Sequence, residues 1–117
     1  MRLPNPDKII IPKEKLTDYL LSVTHPIGKS KAQFLGFLGF DESKADLIEK
    51  EIRGVAEMND IIEEKSTNFG MKYIINGRIN APNGDIVEIK TVWILETGKE
   101  RPRFVTLYPV KYRKEGL

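Results

Sequence analysis

The sequence contains no cysteine and a single histidine, His25. A disulfide framework and thiolate chemistry are therefore excluded, and the usual zinc ligand sets of cysteine and histidine cannot be assembled. Only a magnesium site built on one or two carboxylates stays open; of the runs Glu49, Glu51 and Glu63, Glu64, the first lies on the acidic helix and reads as solvated. No apolar run approaches the roughly 18 to 20 residues of a membrane-spanning helix. The opening MRLPNPDK is polar and proline-punctuated, without the apolar centre of a signal peptide, so a cytoplasmic protein is expected. The phosphate-cradling GxxxxGK[ST], the GxSxG elbow and the dinucleotide GxGxxG are all missing, so no cofactor is expected.

What is present reads as one globular domain, residues 1–117, large enough to bury a core without staples. The formal charge of +2 hides an asymmetry, since residues 41–66 hold nine acidic against four basic side chains while both flanks are basic. Lys99, Arg101, Arg103, Lys111, Arg113 and Lys114 form a cluster opposed only by Glu100, which suits either a phosphate-bearing partner or plain solvation.

Prolines on both sides of Ile9–Ile11 predict an extended opening segment. Leu16, Tyr19 and Leu20 then fall at helical spacing within residues 13–22, and a second helix is predicted over 29–38, ended by Gly39 in a left-handed conformation. Asp41 or Ser43 can cap a third helix to about Met58, with Ile48, Ile52 and Val55 as its apolar stripe. Beyond Asn59 the period becomes two, and residues 61–66, 71–79, 85–96 and 103–110 are strand candidates. The Asn-Gly of "APNGD" predicts a hairpin between the second and third. The fold class expected is α+β, with N-terminal helices packed on one face of a four-stranded antiparallel sheet.

The other face would be open. Alternation in the last strand predicts Val105 and Leu107 toward the helices, with Phe104, Thr106 and Tyr108 opposite; Thr91 and Trp93 share a parity with Ile89 on the third strand. A face carrying Thr, Tyr, Trp and Arg suits RNA, with rings for bases and hydroxyl or basic groups for the backbone; a half-buried core is the competing reading for Trp93. The chemistry left to the chain is that of His, Lys, Arg, Thr and Tyr, which suits RNA cleavage by the substrate's own 2′-hydroxyl.

The pieces "KLTDYLLSVTHPIGKSKAQFLGFLGF", "NFGMKYIINGRINAPNG", "TVWIL" and "RPRFVTLYP" resemble, in that order, a bacterial domain family found as small stand-alone proteins and at the carboxy-terminal tips of polymorphic toxins. Helices followed by a sheet ending in "VTLYP" are similar to the barnase–EndoU–colicin–RelE ribonuclease superfamily. The resemblance implies a metal-independent endoribonuclease toxin of a toxin–antitoxin or polymorphic-toxin system. It marks His25, Lys31, Thr91, Thr106 and Tyr108 as functional, and Gly28, Pro102 and Pro109 as backbone punctuation. On that basis His25 would be general acid or base, Lys31 and Arg103 would hold phosphate, Thr106 and Thr91 would position it, and Tyr108 would donate a proton or stack. Lys29 and Trp93 complete the expected RNA-contacting set. Many superfamily members carry a second histidine and this chain has none, so the second proton-transfer group is left to Tyr108 or Lys31. The partners implied are RNA and a small acidic antitoxin or immunity protein. Two other readings stand beside this one: a non-catalytic module binding RNA or protein, and the antitoxin or immunity member of such a pair, which the acidic helix would suit.

Overall fold

The computed structural model describes residues 1–22 and 29–110, with Lys29 described by its backbone alone. His25 and Gly28, the Lys29 side chain, and Lys111, Arg113 and Lys114 lie outside the described residues. Helices occupy the N-terminal half and a four-stranded antiparallel sheet follows, as the change of period at Asn59 indicates.

Helix α1 (Lys13–Lys15) runs straight into a π turn, Leu16–Leu20, closed by Leu21 N–H donating to Leu16 C=O at 2.8 Å. The wider turn keeps both Leu16 and Leu20 in the core while Tyr19 stays half-buried between them. Helix α2 (Lys29–Phe37) ends where expected: Gly39 has φ +101° and Phe40 N–H donates back to Leu35 C=O at 2.9 Å. Asp41 caps the next turn by accepting from Ser43 N–H, and α3 (Ala45–Met58) lays Ile48, Ile52, Val55 and Ala56 on the sheet.

Strands β1 (Glu63–Thr67), β2 (Gly70–Asn80), β3 (Ile86–Glu96) and β4 (Arg103–Pro109) form a meander in the order β1-β2-β3-β4. The opening segment adds a short parallel bridge beside β4, through Ile10 N–H to Pro102 C=O and Phe104 N–H to Ile10 C=O, both 2.8 Å. The β2–β3 hairpin forms as predicted, with a different turn. Pro82 and Asn83 take the central positions, Gly84 N–H donates to Ala81 C=O, and Gly84 itself (φ +97°) is left-handed. Pro82, whose ring fixes φ for the first central position, selects this longer loop over a two-residue Asn-Gly turn.

Pairing fixes which residues share a face. Tyr73, Ile75, Gly77 and Ile79 of β2 lie against Trp93, Thr91, Ile89 and Val87 of β3, and all eight are buried under the helices. On β4 the simple alternation fails. A bulge opposite Val92/Trp93 pairs Trp93 with Phe104 and Val92 with Thr106, so one extra residue, Val105, intervenes. Phe104 and Leu107 therefore face the core, fully buried, and Val105 is turned out beside Thr106. The expectations that Val105 lies under the helices and that Phe104 faces outward are both corrected by that extra residue, while Leu107 and the outward placement of Thr106 and Tyr108 stand.

Candidate functional site

Thr91 and Trp93 are completely buried, at 0% exposure each, on the helix-covered face. Trp93 Nε1 donates to Thr91 Oγ1 at 2.8 Å, and that hydroxyl donates onward to Ile75 C=O at 2.8 Å. Trp93 also meets Phe104 edge-on, with ring centroids 5.5 Å apart. Both residues are structural: the hydroxyl satisfies an indole N–H that the core would otherwise leave unpaired. Neither reaches the open face, which corrects their assignment to RNA contact.

The open face holds a shallow groove of about 700 Å³. Its floor is apolar, made by Ile74, Val92, Ile94 and Val105; Lys72 and Lys90 border it. Two aromatic rings flank it, Phe69 at the β1–β2 turn (74% exposed) and Tyr108 on β4 (46% exposed). These rings are in reach of a ligand in a way the buried Trp93 is not.

Where β4 borders the groove, Thr106 and Tyr108 meet side chains from the helices. Thr106, only 7% exposed, lines the groove and lies 3.3 Å from Tyr19 Oη. Lys31, from α2, donates to Tyr19 Oη at 3.0 Å and sets its ammonium 4.4 Å from the centroid of the Tyr108 ring. Lys15, one turn before Tyr19, places a second ammonium 5.4 Å from the Tyr19 ring. Burial acts to raise the Tyr19 pKa, yet the hydrogen bonds from Lys31 and with Thr106, and the charges of Lys31 and Lys15, outweigh it and hold the phenol below its usual value.

Three of the sequence-predicted residues, Lys31, Thr106 and Tyr108, are thus brought together. Arg103 stands apart from them on the same strand. Its Nε donates to Glu96 Oε1 at 3.3 Å, and its side chain lines a smaller depression with Pro12, Lys15 and Tyr19. Tyr19 was not among the candidate residues, because its spacing from Leu16 and Leu20 marks it as one more core position. The only signal pointing elsewhere was Lys15 four residues before it, a cation on the same helix face. Among the described residues, no three His, Asp or Glu side chains converge as metal ligands would. Among the same residues no helix is long and apolar enough to cross a membrane.

The fold and groove define a small α+β domain with a lysine- and tyrosine-lined face. The chain belongs to the family described as a domain of unknown function, DUF6883, whose profile matches residues 2–111. No curated protein matches the sequence. Among solved structures, the chain is similar to one chain of a contact-dependent growth inhibition toxin–immunity protein complex from Klebsiella pneumoniae 342. That similarity covers 86% of this chain and 99% of the other, with a TM-score of 0.68 and 16% sequence identity, a likeness of fold.

Proposed function

We propose that the protein is a toxin-type endoribonuclease that works without a metal ion in the cytoplasm of its target cell, and that a small acidic immunity protein or antitoxin restrains it. The observation that carries this reading is the convergence of Lys31, Thr106 and Tyr108 where β4 borders the groove. Those residue types, brought together from α2 and β4, suit the needs of phosphate chemistry. An ammonium offsets charge growing on the phosphate oxygens, a hydroxyl orients them, and an exposed ring stacks on a base. The apolar floor, with Lys72 and Lys90 beside it, suits a single strand laid along the sheet. His25 is the general base of this reading and removes the proton of the attacking 2′-hydroxyl. The similar fold in a toxin–immunity complex supports the partner part of the proposal.

The same similarity favours a second reading, in which the chain is the immunity member, because such a complex contains both. Expression in a bacterial host separates the two: a toxin arrests growth and an immunity protein does not. Purified protein should then cut RNA in excess EDTA, leave 2′,3′-cyclic phosphate ends, and spare DNA of the same sequence. His25→Ala should slow cutting by roughly 10² to 10⁴, the usual contribution of a positioned acid or base. RNA that binds but stays intact would reduce the protein to a binding module.

A further inference from the structure

The endoribonuclease reading needs two proton-transfer groups, and the sequence offers one histidine and no cysteine. The structure supplies a phenol in the right company. We propose that Tyr19 is a catalytic residue, the general acid that protonates the 5′-oxygen as it leaves phosphorus, with Lys31 stabilising the phenolate left behind. This rests on the reading above and fills its missing step.

The geometry distinguishes Tyr19 from the other candidates. Lysine has only hydrogens to offer, so in the 3.0 Å contact with Lys31 the Tyr19 oxygen is the acceptor. An oxygen that already accepts from an ammonium gives up its own proton at less cost, because the charge formed is met where it forms. Thr106 Oγ1, 3.3 Å away, can add a second donor to the same oxygen. Tyr108 lacks this arrangement: Lys31 lies over its ring, 4.4 Å from the centroid, and no ammonium donates to its hydroxyl among the described residues. Lys31 is already engaged as the donor to the Tyr19 oxygen, which suits it to stabilise charge there. The balance of hydrogen bonds and cations that lowers the Tyr19 pKa agrees with this choice.

Backbone features point the same way. Tyr19 lies within the π turn Leu16–Leu20, and single π turns inside helices are frequent where a side chain has to be re-aimed for function. Here the turn holds Leu16 and Leu20 in the core and carries the phenol across to β4.

The step balances. The 2′-oxygen bonds to phosphorus, the bond from phosphorus to the 5′-oxygen breaks, the 5′-oxygen takes the Tyr19 proton, and the 2′-hydroxyl proton passes to the general base of the reading above. A cyclic phosphate and a free 5′-hydroxyl result, and water later returns the proton to the phenolate.

The test compares an ordinary RNA with one whose scissile linkage carries sulfur in place of the 5′-oxygen. Sulfur departs as a thiolate and needs no acid. Tyr19→Phe keeps the ring and its packing and removes only the proton. The variant should cut ordinary RNA roughly 10² to 10⁴-fold more slowly than the parent, and the sulfur-bridged RNA within about threefold of it. It should also lose the alkaline fall of the rate profile that ionisation of the acid produces. Equal losses on both substrates, or no loss on either, with the parent active, would remove Tyr19 as the acid and leave the ribonuclease reading standing. A parent protein that cuts neither substrate would end that reading and this role together.

Discussion

Tyr19 Oη and Thr106 Oγ1 lie 3.3 Å apart although 87 residues separate them in the chain. The contact joins the π turn after α1 to the last strand, and Lys31 of α2 bonds to the same phenol. Three segments distant in sequence thus share one oxygen. A change in any of them is felt at the groove, and the Tyr19 phenol reports it.

That phenol should leave a mark on stability. The folded chain releases the Tyr19 proton at a lower pH than the unfolded chain, so between the lowered value and the ordinary phenol value near 10 the unfolded state binds more protons. Stability therefore gains a rising contribution through that window, and loses it as pH falls through the folded value. Urea unfolding at several pH values from neutral to about 10 should show this rise in the parent relative to Tyr19→Phe. Tyr73 shifts the other way, through burial and then the charge of Glu64, but it is present in both proteins and cancels in the comparison. Parallel pH curves would mean that Lys31 and Thr106 do not hold the phenolate.

Thr91→Val keeps the shape of the side chain and deletes the hydroxyl that accepts from Trp93 Nε1. The indole N–H is then buried without a partner, at a cost of about 1 to 3 kcal/mol. Trp93 is the sole tryptophan and fully buried, so its emission follows unfolding directly. The urea midpoint should fall, while RNA cleavage per folded molecule should not change. A loss of cleavage in the folded variant would return Thr91 to the functional set.

Two glycines should respond in opposite directions to alanine. At Gly77 an added Cβ would come within 2.7 Å of Asn59 Nδ2 and 2.8 Å of Val55 Cγ1, where α3 crosses β2. Overpacking there should cost about 1 to 3 kcal/mol. At Gly54, inside α3, nothing lies within 4 Å of the new methyl. Alanine there should stabilise by about 0.5 to 1 kcal/mol through its better helix propensity. Thermal unfolding of both variants checks the pair.

RNA affinity should divide between the rings and the lysines of the groove. Phe69→Ala, removing an exposed ring, should weaken single-stranded RNA binding by about 1 to 3 kcal/mol if a base stacks there. Lys90→Ala should instead flatten the dependence of log K on log salt, by about one unit if it meets one phosphate. Equilibrium binding over a series of salt concentrations distinguishes the two effects. Unchanged binding in both variants would move the RNA off this face.

Residue periodicity carried most of the fold. The stripe Ile48, Ile52, Val55 marks α3 and Gly39 marks the end of α2, because burial and backbone strain act on those residues locally. Thr91 was misplaced: it shares a parity with the buried Ile89 and Trp93, but its hydroxyl was read as a ligand group and not as the partner of the Trp93 indole. Tyr19 was not legible. Helical spacing tells which side of a helix a residue occupies, but not that its hydroxyl extends past the core to a strand 87 residues away. Lys31, Thr106 and Tyr108 entered through resemblance, and their convergence depends on pairing that no local pattern encodes.

The extra residue in β4 makes the spacing of the candidate side chains Thr106 and Tyr108 a matter of counting. Between Phe104 and Leu107, two residues occupy the place that pairing with Val92 would give to one. Shortening the chain by deleting Val105 would leave a regular ladder in which Phe104 and Leu107 still face inward, with Thr106 and Tyr108 still outward. Forcing the present length into a regular ladder would instead turn Thr106 and Tyr108 inward beneath the helices and expose Leu107. A loss of one residue would thus preserve the two sides of the strand, whereas ironing out the irregularity at constant length would exchange them. A graft of this strand into another sheet should be matched by its count of residues, not by its pattern of polar and apolar letters.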